Sequence, residues 1–320
     1  MTIKEIYDLA IEMGIKSDPR TKSGVMKALS RRKKDYDDLS LKNKKYFDEE
    51  SLINPYSDTR ILVGDPKKEI KKVLAGIDSD SAEPLLVDRL NQKGEGIGLL
   101  ISHHPSGHAL ASLHEVMDAQ VDMFVESGVP KNIAYSMIQE RKGYVKRRFS
   151  PINHTQAVDA ARLLDIPFMV IHTVWDNLGY NFMNNYLQKN SLDTLSELFD
   201  KIMELPEFIE STKGKAGPAI VSGTPNSPVG KIAVHFTGGT NPSKELYMES
   251  AKAGVGTIID MHIPEDALVE MKKMHVNVID TGHMASDSIG ANLFLDALEK
   301  QGVATMACSG LIRVRRKISS

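Results

Sequence analysis

The chain has 320 residues, which is long enough to bury a large core and suggests two domains. Its net charge of −2 gives no general attraction to nucleic acid or to an anionic membrane, and its single cysteine, Cys308, excludes an intrachain disulfide framework and a cysteine-rich zinc site. The first residues lack the apolar core of a secretion signal, and no run of about 18 apolar residues occurs, so we expect a cytoplasmic protein without a membrane partner.

Residues 1–60 predict an N-terminal helical extension laid against the main body. Ile6, Leu9 and Met13 share one face of a helix over residues 3–14, and a second helical pattern follows Pro19. The second pattern contains the basic run Arg31–Lys34, which acidic residues follow at once. This run could contact a phosphate-bearing partner, but a solvated helix face is the favoured interpretation.

Residues 61–210 predict a first α/β lobe. An apolar strand begins at Val73, a helix covers about residues 82–92, and a second apolar strand begins at Leu99. The order strand–helix–strand is typical of a parallel sheet. Residues 108–154 predict a helical insertion, after which a helix leads to the strand Phe168–Ile171 and a polar helical region covers 181–210.

Residues 211–230 are rich in glycine and proline and predict a linker, and residues 231–320 predict a second α/β lobe. Asn241 and Pro242 suit the N-cap and first position of a helix. The other elements predicted in this lobe are strands over 231–236, 255–260, 276–279 and near 303–315, and helices near 265–275 and 287–301.

Two pairs of segments repeat in the same order. Gly96–Ile101 resembles Gly254–Ile259, an alignment that places His104 on His262. The motif His172-x-x-x-Asp176-x-Leu178-Gly179 matches His283-x-x-x-Asp287-x-Ile289-Gly290. We therefore expect two similar α/β lobes that arose by internal duplication, the first enlarged by the helical insertion.

His103 and His104 directly follow a predicted buried strand, and Pro105 ends it. The carboxyl edge of a parallel sheet is where open α/β folds bind ligands, so this pair predicts a metal or catalytic site. The alternative is that one histidine belongs to the core and the other is exposed.

The His-x-x-x-Asp spacing places both side chains on one face of a helix. Imidazole nitrogen with carboxylate oxygen suits Zn, Mn, Fe, Co or Ni, although such a pair can instead satisfy the amides of a helix N-terminus. The candidate residues are His103, His104, His172, Asp176, His283 and Asp287. They exceed what one metal needs and could hold two metals about 3.5–4 Å apart.

Over about residues 60–320, these motifs resemble the Nif-three-like family (Ngg-one-interacting factor three), often labelled GTP cyclohydrolase I type 2 homologues. The resemblance implies a two-lobed α/β fold with a dinuclear metal site in homo-oligomers such as ring-shaped hexamers. It implies that His103, His104, Asp176 and His283 are ligands and that His172 lies at or beside the metals. The family usually carries Glu where this chain has Asp287, which we also expect to be a ligand.

The first functional expectation is a metal-dependent hydrolase acting on a small phosphorylated or nucleotide-like molecule, with two divalent transition metal ions per chain. His172 and His108 are the candidates for proton transfer, since His108 is close in sequence to the paired histidines. The alternative is a non-catalytic metal-binding oligomer with a regulatory or partner-binding role. Nucleic-acid binding is disfavoured by the net charge of −2.

Overall fold

The computed structural model describes residues 1–188 and 192–316, which form two β-sheets surrounded by helices. The strands are β1 (Thr59–Val63), β2 (Lys72–Gly76), β3 (Leu99–Ser102), β4 (Phe168–Ile171), β5 (Ala219–Ser222), β6 (Lys231–His235), β7 (Val255–Asp260), β8 (Asn277–Asp280) and β9 (Ala304–Cys308). The helices are α1 (Ile3–Lys16), α2 (Thr21–Asp37), α3 (Leu41–Lys44), α4 (Ala82–Gln92), α5 (Gly107–Ala111), α6 (Ala119–Glu126), α7 (Lys131–Phe149), α8 (Gln156–Leu163), α9 (Thr173–Gln188), α10 (Leu195–Met203), α11 (Pro206–Lys213), α12 (Lys244–Lys252), α13 (Glu265–Lys273) and α14 (His283–Lys300). Short 3-10 helices cover Glu49–Leu52 and Leu113–Asp118.

The first sheet has the strand order β1-β4-β3-β2-β9. Its edge strand β1 runs antiparallel to β4, and the other neighbours are parallel. Strands β3 and β4 are buried along their whole length, which is why their sequences are continuous apolar runs. The carboxyl ends of β3 and β4 therefore lie side by side.

The second sheet repeats this arrangement with the order β5-β8-β7-β6. Its edge strand β5 is antiparallel to β8, and β8, β7 and β6 are parallel. Strands β5 to β8 thus occupy the places that β1 to β4 occupy in the first sheet. The predicted fold class, two similar α/β lobes from an internal duplication, is confirmed.

Strand β9 returns to the first sheet, where it pairs with β2, although the sequence assigned its residues to the range of the second lobe. Strand β5 lies inside the predicted linker 211–230, and β1 was not predicted. The division of the chain at residues 211–230 stays a prediction.

The start of helix α12 corrects one expectation. The helix begins at Lys244 with Ser243 as its N-cap residue, not at Asn241 and Pro242. The side chain of Asn241 instead donates to the carbonyl oxygen of His262, 2.9 Å away, so it ties the loop after β6 to the loop after β7. The preference of Asn for the N-cap position is thus outweighed by the hydrogen bond of Asn241 to another loop.

Helices α9 and α14 pack against each other, and each follows the repeated strand of its lobe. Trp175 on α9 and Phe294 on α14 are fully buried in the core that these helices share with the first sheet and α1. Burying an aromatic side chain of this size contributes about 1.5–3 kcal/mol. The second sheet packs on α9, α10, α11 and α14 around Phe208 and Ile289. The helix pair thus joins the two cores.

The N-terminal extension is part of this packing. Helix α1 starts with a capping box between Thr2 and Glu5 and packs against α9. Beyond it, the buried Asp18 carboxylate accepts a hydrogen bond of 2.9 Å from Tyr56, and the Asn177 side chain lies 3.4 Å from both groups. The extension therefore supports the helix that carries Asp176. Within residues 1–188 and 192–316, no helix is both long and apolar enough to cross a lipid bilayer.

Candidate metal centre

Six predicted site residues, five ligand candidates and His172, meet where the carboxyl ends of the strands approach the helix pair. They are His103 and His104 after β3, His172 between β4 and α9, Asp176 in the first turn of α9, His283 at the start of α14, and Asp287 one turn later. Helix–helix packing brings the two His-x-x-x-Asp motifs together, because α9 and α14 run against each other. The two repeated motifs therefore lie next to each other in the folded chain.

Asp287 lies at the centre of this cluster. Its Oδ1 is 3.5 Å from His103 Nε2, and its Oδ2 is 3.5 Å from His104 Nε2 and 3.3 Å from His283 Nε2. The residue is 2% exposed, and neither oxygen has a hydrogen-bond partner among the described residues. A buried carboxylate without partners is costly, and a cation among these nitrogens would supply what it lacks.

Two groups of side chains have the spacing to share an ion. One group is His103, His172 and Asp176, and the other is His103, His104 and Asp287. Within each group the candidate ligand atoms lie within 4.8 Å of one another, and His103 belongs to both. The donors are imidazole nitrogens and carboxylate oxygens without thiolate, so the residues fit divalent transition metals.

The protonation of the cluster follows from its charges. Burial opposes the charged form of His103, but the carboxylates of Asp287 and Asp176 outweigh burial and hold its pKa well above the usual range. Burial likewise opposes ionisation of Asp287, yet the neighbouring histidines hold its pKa well below the usual range. A proton and a metal cation would compete for the same imidazole lone pairs.

Burial lowers the pKa of His283 to about 4. It is therefore a neutral imidazole near pH 7, with a lone pair available. Its Nε2 lies 3.3 Å from His104 Nε2, and its ring centroid is 4.3 Å from that of His262. Two facing imidazole nitrogens are satisfied either by one shared proton or by a cation.

Outer partners hold three of the histidine rings through Nδ1. The carbonyl oxygen of Ile171 lies 3.1 Å from His103 Nδ1, so that nitrogen carries a proton and Nε2 faces the cluster. Asp78 lies 2.6 Å from His104 Nδ1, and Asp58 lies 2.9 Å from His172 Nδ1. Such partners orient ligating histidines in metal sites.

Asp58 and Asp78 are the site residues that sequence reasoning did not single out. Asp78 ends a predicted strand, and its position at a strand exit was the available signal. Asp58 precedes β1, a strand that the sequence pattern did not reveal. Its carboxylate is fully buried and also accepts a hydrogen bond of 2.6 Å from the Thr173 hydroxyl.

His108, the other candidate for proton transfer, is placed apart from the cluster. Its side chain is 55% exposed and faces Asp48 at 3.3 Å on the surface of the insertion. It is not among the residues that line the cleft beside the cluster, and its role in proton transfer stays a prediction. His172, by contrast, lines that cleft and lies 3.8 Å from Asp176 through Nδ1.

A cleft that is open to solvent lies beside the cluster, with a cavity volume of about 60 Å³. One wall carries the ligand candidates, and the other is formed by the loop after β6 and by helix α6 of the insertion. The Gln120 side chain donates hydrogen bonds to the carbonyl oxygens of Gly238 and Thr240, which fixes this loop against α6. The helical insertion thus shapes the cleft of the metal centre.

The sequence and the fold were compared with known proteins. The sequence model of the Duf34/NIF3 family (NGG1p interacting factor 3) matches residues 107–310. No curated protein sequence matches the chain.

Among solved structures, a NIF3 superfamily protein from Sphaerobacter thermophilus is 29% identical, with a TM-score of 0.75 over 97% of this chain and 99% of that protein. Reduced HcgD from Methanocaldococcus jannaschii is 15% identical, with a TM-score of 0.49 over 80% of this chain and 94% of that protein.

Proposed function

This chain belongs to the Duf34/NIF3 family, and from that premise we propose that it binds two divalent transition metal ions and hydrolyses a small phosphorylated or nucleotide-like molecule. The observation that carries the proposal is the buried Asp287 carboxylate, which lies among three histidines without a hydrogen-bond partner in the described chain. The proposal assigns metal binding to His103, His104, Asp176, His283 and Asp287.

We assign the ligand residues to two ions. His103 either binds both ions or lies between them. Asp176 would serve one ion, with His172 beside it, and His104, His283 and Asp287 would serve the other. Bound there, divalent ions supply Lewis-acid charge and activate water at neutral pH. Asp58 and Asp78 keep the rings of His172 and His104 in place.

The described lining of the cleft contains no Lys or Arg, so a phosphoryl group would depend on the metal ions for the positive charge that binds it. The rest of the lining mixes apolar side chains such as Met123 and Phe236 with the hydroxyl and amide groups of Thr240 and Asn241.

The test of metal binding is elemental analysis of protein purified without chelators. We expect two transition metal ions per chain in the wild type and a loss of at least one in Asp287→Asn. Asp88→Asn, which replaces an exposed carboxylate on α4, is the matched control and should keep both ions. Equal metal content in all three proteins would contradict the assignment of Asp287.

The test of activity is a screen of phosphate monoesters and nucleotides with added Mn²⁺ or Zn²⁺. Turnover that disappears in a His103→Ala/His104→Ala protein would support the hydrolase. Bound metal without turnover of any ester would favour the alternative, a non-catalytic metal-binding oligomer. Size-exclusion chromatography with light scattering tests the hexamer that we propose from the family resemblance.

A further inference from the structure

A second pair of functional groups, His235 and Asp260, lies in the wall of the same cleft. His235 ends strand β6, Asp260 ends strand β7, and the two residues are direct partners in the parallel register. Paired residues of neighbouring strands point to the same face of a sheet. The pair thus stands at the carboxyl edge of the second sheet, where α/β folds bind ligands.

Asp260 is a fixed, ionised carboxylate. The Tyr247 hydroxyl donates to Oδ2 at 2.6 Å, and the backbone N–H of His262 donates to Oδ1 at 3.0 Å. Asp260 is 3% exposed, and although burial opposes ionisation, the nearby His235 holds the pKa of its carboxyl group below the usual value. The carboxylate therefore presents negative charge to His235.

The ring of His235 is held in place by its neighbours and can still form hydrogen bonds. Its Nδ1 lies 3.5 Å from Asp260 Oδ2, and its ring packs beside Phe124 and Tyr247 at centroid distances of 5.4 and 5.2 Å. Among the described residues its Nδ1 has no hydrogen-bond partner within normal geometry, and catalytic hydrogen bonds are often long before substrate binds. A carboxylate beside Nδ1 orients the ring, which leaves Nε2 as the atom for a ligand.

The fold does not require this pair. In the first sheet the register partners at the equivalent strand ends are Gly76 and Ser102, which carry neither an imidazole nor a carboxylate. The duplicated lobe therefore folds without such a pair. Its presence in the second sheet needs another reason.

Two short connections join the pair to the metal centre. The ring of His262, whose N–H binds Asp260, lies 4.3 Å from the ring of His283. On the other side, the Thr237 hydroxyl donates at 2.6 Å to Asn177, the neighbour of Asp176. His235 and the ligand candidates thus belong to opposite walls of one cleft.

We propose that His235, oriented by Asp260, is the general acid of the hydrolysis, donating a proton to the leaving oxygen of a phosphate ester bound at the metal centre. This inference rests on the proposed function. Water oxygen forms the new P–O bond and releases a proton to solvent, while the P–O bond to the leaving group breaks. The leaving oxygen keeps the electron pair and takes the Nε2 proton of His235, which solvent then replaces. The sum is ester plus water giving phosphate plus alcohol.

The experiment compares two esters with the metal-loaded protein. Phenyl phosphate has a strongly basic leaving group that needs a proton, whereas p-nitrophenyl phosphate has a weakly basic one that does not. We expect His235→Gln to slow phenyl phosphate hydrolysis about 100-fold or more and p-nitrophenyl phosphate hydrolysis less than about tenfold. Asp260→Asn should show the same inequality, because Asp260 acts as a positioning residue through His235. His114→Gln, on the insertion and outside the cleft, should leave both rates unchanged.

Two further measurements distinguish a catalytic role of His235 from a purely structural one. Added imidazole should restore phenyl phosphate hydrolysis in His235→Ala, and calorimetry with inorganic phosphate should show weaker binding in His235→Gln with unchanged metal content. Equal losses on both esters without imidazole rescue, or unchanged phosphate binding, would overturn the role of His235. If the metal-loaded wild type neither binds phosphate nor hydrolyses either ester, the proposed phosphoryl chemistry itself fails, and the role of His235 falls with it.

Discussion

A Cβ atom on Gly290 would lie 1.9 Å from the carbonyl oxygen of Trp175, because α14 and α9 cross at this point with their backbones in contact. Gly290 and Gly179 occupy the same position in the two repeated motifs, three residues after Asp287 and Asp176. The close crossing brings the two acidic residues to one centre. The glycine at position 290 is therefore a requirement of the site as well as of the packing.

The two glycines should respond differently to alanine. Gly290→Ala forces the helices apart and should lower the free energy of unfolding by about 3 kcal/mol or more. At Gly179 a Cβ would meet its nearest neighbour, the Gly290 nitrogen, at 3.6 Å, an ordinary contact. Gly179→Ala should therefore be neutral or stabilise the helix by up to about 1 kcal/mol. Urea unfolding of the metal-free proteins measures both changes in the free energy of unfolding. Equal changes would contradict the inference that only Gly290 is in close backbone contact.

The candidate ligands should contribute unequally to metal binding. His103 belongs to both groups of ligand atoms, whereas Asp176 belongs to one. We expect His103→Asn to weaken the binding of both ions and Asp176→Asn to weaken mainly one. Competition with a chromophoric chelator resolves the two affinities. A His103→Asn protein that keeps one ion at wild-type affinity would show that the two groups do not share this residue.

Much of this centre could be predicted from sequence because its signals are local. His103 and His104 follow an apolar strand directly, and His-x-x-x-Asp needs only one helical turn to place its side chains together. The repeat of the motif then indicated that the two copies belong together. Such short-range patterns place the side chains correctly wherever the strand and the helix themselves form.

The residues that were missed depend on long-range pairing. Asp58 meets His172 across 114 residues, beside the edge strand β1, whose sequence begins with Thr59 and Arg60 and is not a continuous apolar run. Asp260 and His235 end two strands that were predicted, but their pairing follows from register, which the strand patterns alone do not define. Strand β9 was likewise predicted near its position, but its pairing with β2 in the first sheet could not be read from its sequence.

Asp58 should act on the metal through His172. Asp58→Asn removes the negative charge beside His172 Nδ1 and should weaken the binding of one ion about 10–100-fold, with the fold retained. Chelator competition measures the affinity, and circular dichroism checks the fold. Asp88→Asn is again the control for loss of one carboxylate. Wild-type affinity in Asp58→Asn would mean that the orientation of His172 does not matter for binding.

The C-terminal segment should be sensitive to acid because of Glu299 on α14. Burial opposes ionisation, but hydrogen bonds from Arg315 and Thr305 and the charge of Arg313 lower the pKa of Glu299 to about 2, from an ordinary value of 4.5. Arg315 Nε lies 3.0 Å from Glu299 Oε2, and Arg313 Nη2 lies 3.1 Å from the same oxygen. These contacts anchor the segment that follows β9.

A lowered carboxyl pKa stabilises the fold above the unfolded-state value, and this stabilisation is lost as the pH falls through the folded-state value. Glu299→Gln should therefore unfold more easily than the wild type by on the order of 2 kcal/mol at pH 6, allowing for its partial exposure. The difference should shrink as the pH falls from 4.5 towards 2, the interval between the two values. Glu210→Gln, which removes an exposed ion pair with Lys213, is the control and should change stability by less than about 0.5 kcal/mol. Denaturant titrations of metal-free protein across this pH range measure the difference, and a difference that does not depend on pH would show that Glu299 acts through packing and not through its charge.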